Sequence, residues 1–151
     1  MHQLKYRGWR GLAEPMAALM SRVRLPEDAA TEASVVVPVP TTRKRRRRRG
    51  YNQAELLARA FAWRTGRRCL PLLVRRGEAG TQTSLQPLER AANVADAFAL
   101  APDARPDVLA QHLLLVDDVM TTGATAGECA RVLVEQGARC VSVVTFARAI
   151  E

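Results

Sequence analysis

Two adjacent carboxylates, Asp117 and Asp118, are followed at once by Thr121-Thr122-Gly123-Ala124-Thr125. Adjacent acids are costly beside an apolar segment unless they bind something. A small, hydroxyl-rich turn running into a helix can aim backbone N–H groups, hydroxyls and a helix N-terminus at one anion. The segment therefore offers acids for sugar hydroxyls or a metal, and beside them a cradle for a phosphate. A sugar phosphate uses both.

The remaining charge is concentrated elsewhere. The chain has 151 residues and a net charge of +8, and seven consecutive basic residues run from Arg43 to Arg49. Without those seven, 16 basic residues remain against 15 acidic ones. The basicity is thus local, which favours a focused anion site over a surface coated for nucleic acid. The run has three readings: an anion loop, a nucleic-acid patch, or a solvated charged loop. Seven like charges exceed what one diphosphate needs, and Tyr51 is the sole aromatic beside them for base stacking.

These groups need a scaffold. Leu113 to Val116 is a short unbroken apolar run, as in a strand buried on both faces of a parallel sheet. Val35 to Val37 is a second such strand, ended by Pro38 and Pro40, and Val141 to Phe146 a last one. Cys69 to Val74 reads as a strand that Pro71 restricts to an edge or bulge, and Ala95 to Leu100 as another. Helical patterns cover Leu4 to Val23 with a break near Pro15, Asn52 to Trp63 with an Asn52/Glu55 capping box, and Thr125 to Gln136 with Gly137 at its end. Pro26-Glu27-Asp28 reads as a turn, and Thr41 to Gly50 as a loop. Arg75 to Ala92 has little periodicity, and a loop this long is more often a lid than filler. Alternating strands and helices imply one α/β domain over residues 1–151 with a parallel sheet. Its ligands bind outside the carboxyl ends of the strands, where the basic and acidic loops both lie.

Three cysteines, Cys69, Cys129 and Cys140, form no CxxC and no disulfide framework, and read as small core residues of a cytoplasmic protein. His2 and His112 stand isolated, with no partners at metal-ligand spacing. No apolar stretch approaches membrane-spanning length.

Val116-Asp117-Asp118-Val119-Met120-Thr121-Thr122-Gly123-Ala124-Thr125 resembles the phosphoribosyl diphosphate (PRPP) loop of type I phosphoribosyltransferases. Val37-Pro38-Val39-Pro40, the basic run, and Arg49-Gly50-Tyr51-Asn52-Gln53-Ala54 are similar to the competence protein ComF family, including its GntX-like members. So are Leu4-Lys5-Tyr6-Arg7-Gly8, Gln82 through Leu85, Glu89-Arg90 with Asn93, and Ala97-Phe98. Many members carry a four-cysteine zinc module before the Leu-Lys-Tyr segment. Only Met1 to Gln3 precede it here, so no zinc site is carried over. Thr41-Thr42 stands where the family often has Leu-His, so no histidine role is carried over either.

The resemblance implies a parallel-sheet type I phosphoribosyltransferase fold with flanking helices and a mobile lid loop. It implies that Asp117 and Asp118 hold the ribose hydroxyls as catalytic-site residues, and that they hold Mg²⁺ indirectly, through water. Thr121, Thr122, Gly123, Ala124 and Thr125 would take the 5′-phosphate. Arg43, Lys44 and Arg49 would take the pyrophosphate, and Gln82, Arg90 and Asn93 would lie on the lid. The alternative for those three is a surface loop with a helix cap at Asn93. The implied activity is phosphoribosyl transfer from Mg²⁺-PRPP to a nitrogen nucleophile. The alternative is a non-catalytic competence protein for DNA uptake that binds PRPP, a nucleotide, single-stranded DNA or other competence proteins.

Overall fold

The computed structural model describes residues 10–76 and 96–149. Its centre is a four-stranded sheet in the order β2-β1-β5-β6, in which every neighbouring pair is parallel. The strands are β1 (Val35–Pro38), β2 (Arg68–Cys69), β5 (His112–Met120) and β6 (Cys140–Arg148). A separate antiparallel pair joins β3 (Leu73–Arg75) to β4 (Phe98–Leu100). The helices are α1 (Ala13–Met20), α2 (Glu27–Glu32), α3 (Arg43–Arg49), α4 (Gln53–Arg64) and α5 (Ala124–Glu135).

Leu113 to Val116 are fully buried because β5 is covered on both faces. Successive residues point to opposite sides, so the sheet separates two cores. Val35, Val37, Leu113 and Leu115 pack with Leu133 and Cys129 of α5 and with Phe98. Val36, Leu114 and Val116 pack with Met16 and Met20 of α1, Ala29 of α2, and Leu57 and Phe61 of α4. Each such buried leucine or valine contributes roughly 1.5–3 kcal/mol. Because the strands are parallel, the segments after β1 and after β5 leave the sheet at one edge. The Val39 N–H donates to the Val116 carbonyl at 2.9 Å, holding these two exits together.

The basic run is a helix, not a loop. Thr42 starts it, its hydroxyl accepting from the Arg45 N–H at 3.1 Å, and Gly50 ends it at φ 79° with its N–H on the Arg46 carbonyl. A side-chain cap of this kind contributes about 1 kcal/mol. Arginine is a good helix former, and cations in the last turn suit the dipole. Together these offset like-charge pairs that cost about 0.2–0.5 kcal/mol each.

Other departures have local causes. Pro71 divides the expected Cys69 to Val74 strand between two sheets. β5 continues beyond Val116 to Met120, pairing Asp117 with Thr145, so both acids lie within the strand. Pro15 falls in the first turn of α1, where no N–H is needed, and the expected break is a change of helix type, a 3₁₀ turn over Arg10–Leu12 leading into the α-helix at Ala13. Residues read as a turn at Glu27 and Asp28 begin α2, where acids favour the helix start. Asn52 stands at the N-cap position of α4 as expected, but its side chain makes no capping bond, and Glu55 pairs with Arg59 instead of closing a capping box. Gly137 follows α5 at φ 102°, as its sequence position suggests. The proposed lid residues Gln82, Arg90 and Asn93 lie outside the described residues. No helix among the described residues is long and apolar enough to cross a membrane.

Candidate functional site

At the carboxyl edge of the sheet lies a cavity of about 290 Å³. Val39, Pro40 and Thr41 line it from the exit of β1, and Asp117, Asp118 and Val119 from β5. Arg45 and Arg49 reach it from α3, Asn52 and Gln53 from the start of α4, Arg75 from β3 and Thr125 from α5. One wall is acidic and the other cationic, which suits a ligand with hydroxyls at one end and phosphates at the other.

Both acids are half-buried and locally fixed. The Asp118 N–H donates to Asp117 Oδ1 at 2.8 Å, and the Val119 N–H donates to Asp118 Oδ1 at 2.9 Å. These bonds fix the orientation of each carboxylate at the rim of the cavity. Half-buried oxygen donors beside a cavity with room for water also fit a hydrated Mg²⁺ ion.

The turn after β5 is built around Gly123 at φ 82°. A Cβ there would meet Met120 Sδ at 3.8 Å, an ordinary contact, so backbone conformation rather than space requires glycine. The Ala124 N–H donates to Thr122 Oγ1 at 3.3 Å. Gly123, the cap residue, has no side chain to close α5, and no acid stands in the first turn, so beyond the Ala124 N–H the positive helix start suits an anion. Of the five residues expected at a 5′-phosphate, Thr125 lines the cavity. Thr121, Thr122 and Ala124 are exposed and Gly123 half-buried in the adjoining turn.

Helix formation sorts the basic residues by face. Arg45 and Arg49, one turn apart, line the cavity with the acids. Arg43, Lys44, Arg47 and Arg48 line a second, more open cavity of about 740 Å³, with Arg76 beside them and Arg75 shared by both. The three residues expected at a pyrophosphate are thus divided, Arg49 on one side and Arg43 with Lys44 on the other.

Gln53 and Arg75 are cavity residues that the sequence does not single out, and Arg45 is one it marks only as part of the basic run. Arg45 stands four residues before Arg49, a spacing that matters only once the run is helical. Gln53 is 4% exposed, and its Nε2 has no hydrogen-bond partner among the described residues. An unsatisfied buried amide costs about 1–3 kcal/mol, which a ligand acceptor would recover. No local signal marks Arg75. Behind the acids, burial pushes the Cys129 thiol up to about 12, with the Asp117 charge adding to the effect.

The family model of the phosphoribosyl transferase domain matches residues 27–151. The DNA utilization protein YhgH of Escherichia coli (strain K12) is 30% identical over 154 residues, spanning 99% of this chain and 66% of that protein. Its counterpart in Salmonella typhimurium (strain LT2) is 32% identical with the same coverage. Competence protein F of Haemophilus influenzae is 33% identical over 129 residues, spanning 85% of this chain and 53% of that protein. The chain therefore spans no more than 66% of the length of these curated relatives. Among solved structures, the glutamine PRPP amidotransferase from B. subtilis complexed with ADP and GMP superposes with a TM-score of 0.59 at 21% identity, covering 89% of this chain and 26% of that one. The allosteric regulatory enzyme of purine biosynthesis superposes with a TM-score of 0.53 at 24% identity, covering 91% and 25%. At these identities the structural likeness shows the fold alone.

Proposed function

The chain belongs to the phosphoribosyl transferase domain family, in its ComF-like group, and from that premise we propose that it binds Mg²⁺-PRPP and transfers the phosphoribosyl group to a nitrogen nucleophile. One observation carries this reading: Asp117 and Asp118 share a cavity with Arg45 and Arg49, beside the open start of α5. The carboxylates accept from the ribose 2′ and 3′ hydroxyls. The turn from Thr121 to Thr125 takes the 5′-phosphate on backbone N–H groups and hydroxyls. Arg45, Arg49 and Arg75 face the diphosphate, and their forked donors stabilise the charge it gains on leaving.

In the reaction the C1–O bond to the diphosphate breaks and a C1–N bond forms. Pyrophosphate departs with the bonding pair, and the nitrogen loses a proton. The two carboxylates oppose the positive charge that develops on the sugar ring. Mg²⁺, held through water by Asp117 and Asp118, would neutralise part of the diphosphate charge.

The test is acceptor-dependent pyrophosphate release from Mg²⁺-PRPP, screened over amines and nucleobases. Activity with at least one acceptor, reduced on the order of 10²-fold or more by Asp117→Asn with Asp118→Asn, supports the reading. Absence of release with every acceptor rejects catalysis.

A second reading rests on the other face of α3. Arg43, Lys44, Arg47, Arg48 and Arg76 line a cavity to which neither acid contributes, carrying more charge than one diphosphate requires. Relatives named for DNA utilization and competence make a single-stranded nucleic acid the natural polyanion. Such binding weakens steeply with salt.

A further inference from the structure

The amino edge of the sheet, remote from the acid pair, holds a second group of ligand-type side chains. β5 begins at His112 and reaches Asp117 about 16 Å further along the strand. His112 and Cys140 stand opposite each other in the β5–β6 register. Asp28, on α2, reaches over both. One potential ligand atom from each of Asp28, His112 and Cys140 lies within 4.8 Å of the others. In the sequence these three are scattered, which is why His112 reads as isolated there.

The histidine supplies an independent observation. It is 2% exposed, and its Nδ1 is buried with no hydrogen-bond partner among the described residues. Its Nε2 is 2.9 Å from Ser142 Oγ. An Nε2–H donating to that hydroxyl leaves the Nδ1 lone pair free. This is the arrangement in which a histidine binds a metal through one nitrogen while a neighbour fixes the other. The nearest further carboxylate is Glu32, with Oε2 3.9 Å from Nδ1 and an ion pair to Arg139. Cys140 is a free, half-buried thiol.

We propose that Asp28, His112 and Cys140 form a zinc-type metal site at the amino edge of the sheet, with Ser142 orienting the imidazole. A carboxylate, an imidazole and a thiolate together exclude Mg²⁺ and Ca²⁺, which take oxygen ligands, and suit Zn²⁺. Tetrahedral zinc needs ligand atoms roughly 3.5 Å apart, so the exposed Asp28 and half-buried Cys140 close on the ion by about 1 Å. The fourth position falls to water or Glu32. The ion would pin α2 to the starts of β5 and β6, independently of the cavity at the other edge.

The test uses the full chain, stripped of metal and titrated with Zn²⁺ against a chromophoric chelator, then with Co²⁺. One Zn²⁺ per chain is expected, together with a thiolate-to-cobalt charge-transfer band. Cys140→Ser should abolish the band, and it and Asp28→Asn should each weaken Zn²⁺ at least tenfold. Ser142→Ala should weaken it about 10–100-fold. Asp117→Asn with Asp118→Asn should leave Zn²⁺ affinity unchanged. Sub-stoichiometric binding, affinity indifferent to both Cys140→Ser and Asp28→Asn, or loss that follows the Asp117/Asp118 variant instead would each overturn the proposal. Should a variant fail to fold, the cobalt band of the unsubstituted chain decides alone.

Discussion

Asn52 Nδ2 donates to the Val39 carbonyl at 3.0 Å, in a buried bond that spans thirteen residues of sequence. It closes a loop whose whole content is the turn after β1 and the basic helix α3. The arginines therefore hang from a clasp between the exit of β1 and the start of α4. Replacing Asn52 with Ala leaves the Val39 carbonyl buried without this donor and should cost about 1–3 kcal/mol in urea unfolding. Asn52→Asp, which cannot donate, should do no better. A stability unchanged by either variant would mean that the clasp is incidental.

The two faces of α3 make separable contributions. Arg45→Ala with Arg49→Ala should weaken Mg²⁺-PRPP at least tenfold, because both side chains line the cavity with Asp117 and Asp118. Arg43→Ala with Arg47→Ala should leave PRPP affinity within about threefold, while lowering any DNA affinity and flattening its salt dependence. Calorimetry and fluorescence anisotropy on the two double variants distinguish the faces. Equal effects of both pairs on PRPP would contradict the division.

Two glycines with positive φ should respond differently to alanine. At Gly123 a Cβ meets ordinary contacts, so the cost is backbone strain of about 1–2 kcal/mol. At Gly137 φ is 102°, further from the left-handed well than the 82° of Gly123, and the added Cβ also falls 2.8 Å from Leu109 Cδ1, the tip of an exposed side chain that turns aside. Gly137→Ala should therefore lower the melting temperature more, whereas Gly123→Ala should be the one that weakens PRPP. The opposite ranking in either assay would count against this local account.

Thiol chemistry offers a pH-dependent check. Burial holds Cys69 up at about 11 and Cys129 at about 12, both above the ordinary thiol value, so each favours its protonated form. At pH 8 the reactive thiolate is then roughly one part in a thousand at Cys69 and one in ten thousand at Cys129. Alkylation of the native protein should be slow at both and should quicken as pH rises towards those values. Unfolding in urea should expose them. Mass spectrometry showing Cys129 alkylated in the native state as fast as a free thiol at pH 8 would refute the burial.

What could be read in advance was whatever is local. The apolar run before Asp117, the glycine turn and the glycine after α5 each carry their signal within a few residues. The basic helix did not, because seven like charges have no apolar stripe, and its two caps, Thr42 and Gly50, are all that mark it. Gln53 and Arg75 join the cavity only through tertiary packing. The meeting of Asp28, His112 and Cys140 depends on strand register and on the docking of α2, which no sequence spacing states.

The central claim is that the cavity between Asp117, Asp118 and the inner face of α3 holds Mg²⁺-PRPP. Thermal unfolding with increasing Mg²⁺-PRPP tests it most directly. A ligand at a hundred times its dissociation constant adds about 2.7 kcal/mol to stability, a readily measured rise in melting temperature. That rise should appear with the unsubstituted chain and vanish with Asp117→Asn plus Asp118→Asn. A melting temperature unmoved at millimolar Mg²⁺-PRPP, or a rise that the double variant keeps in full, would contradict it.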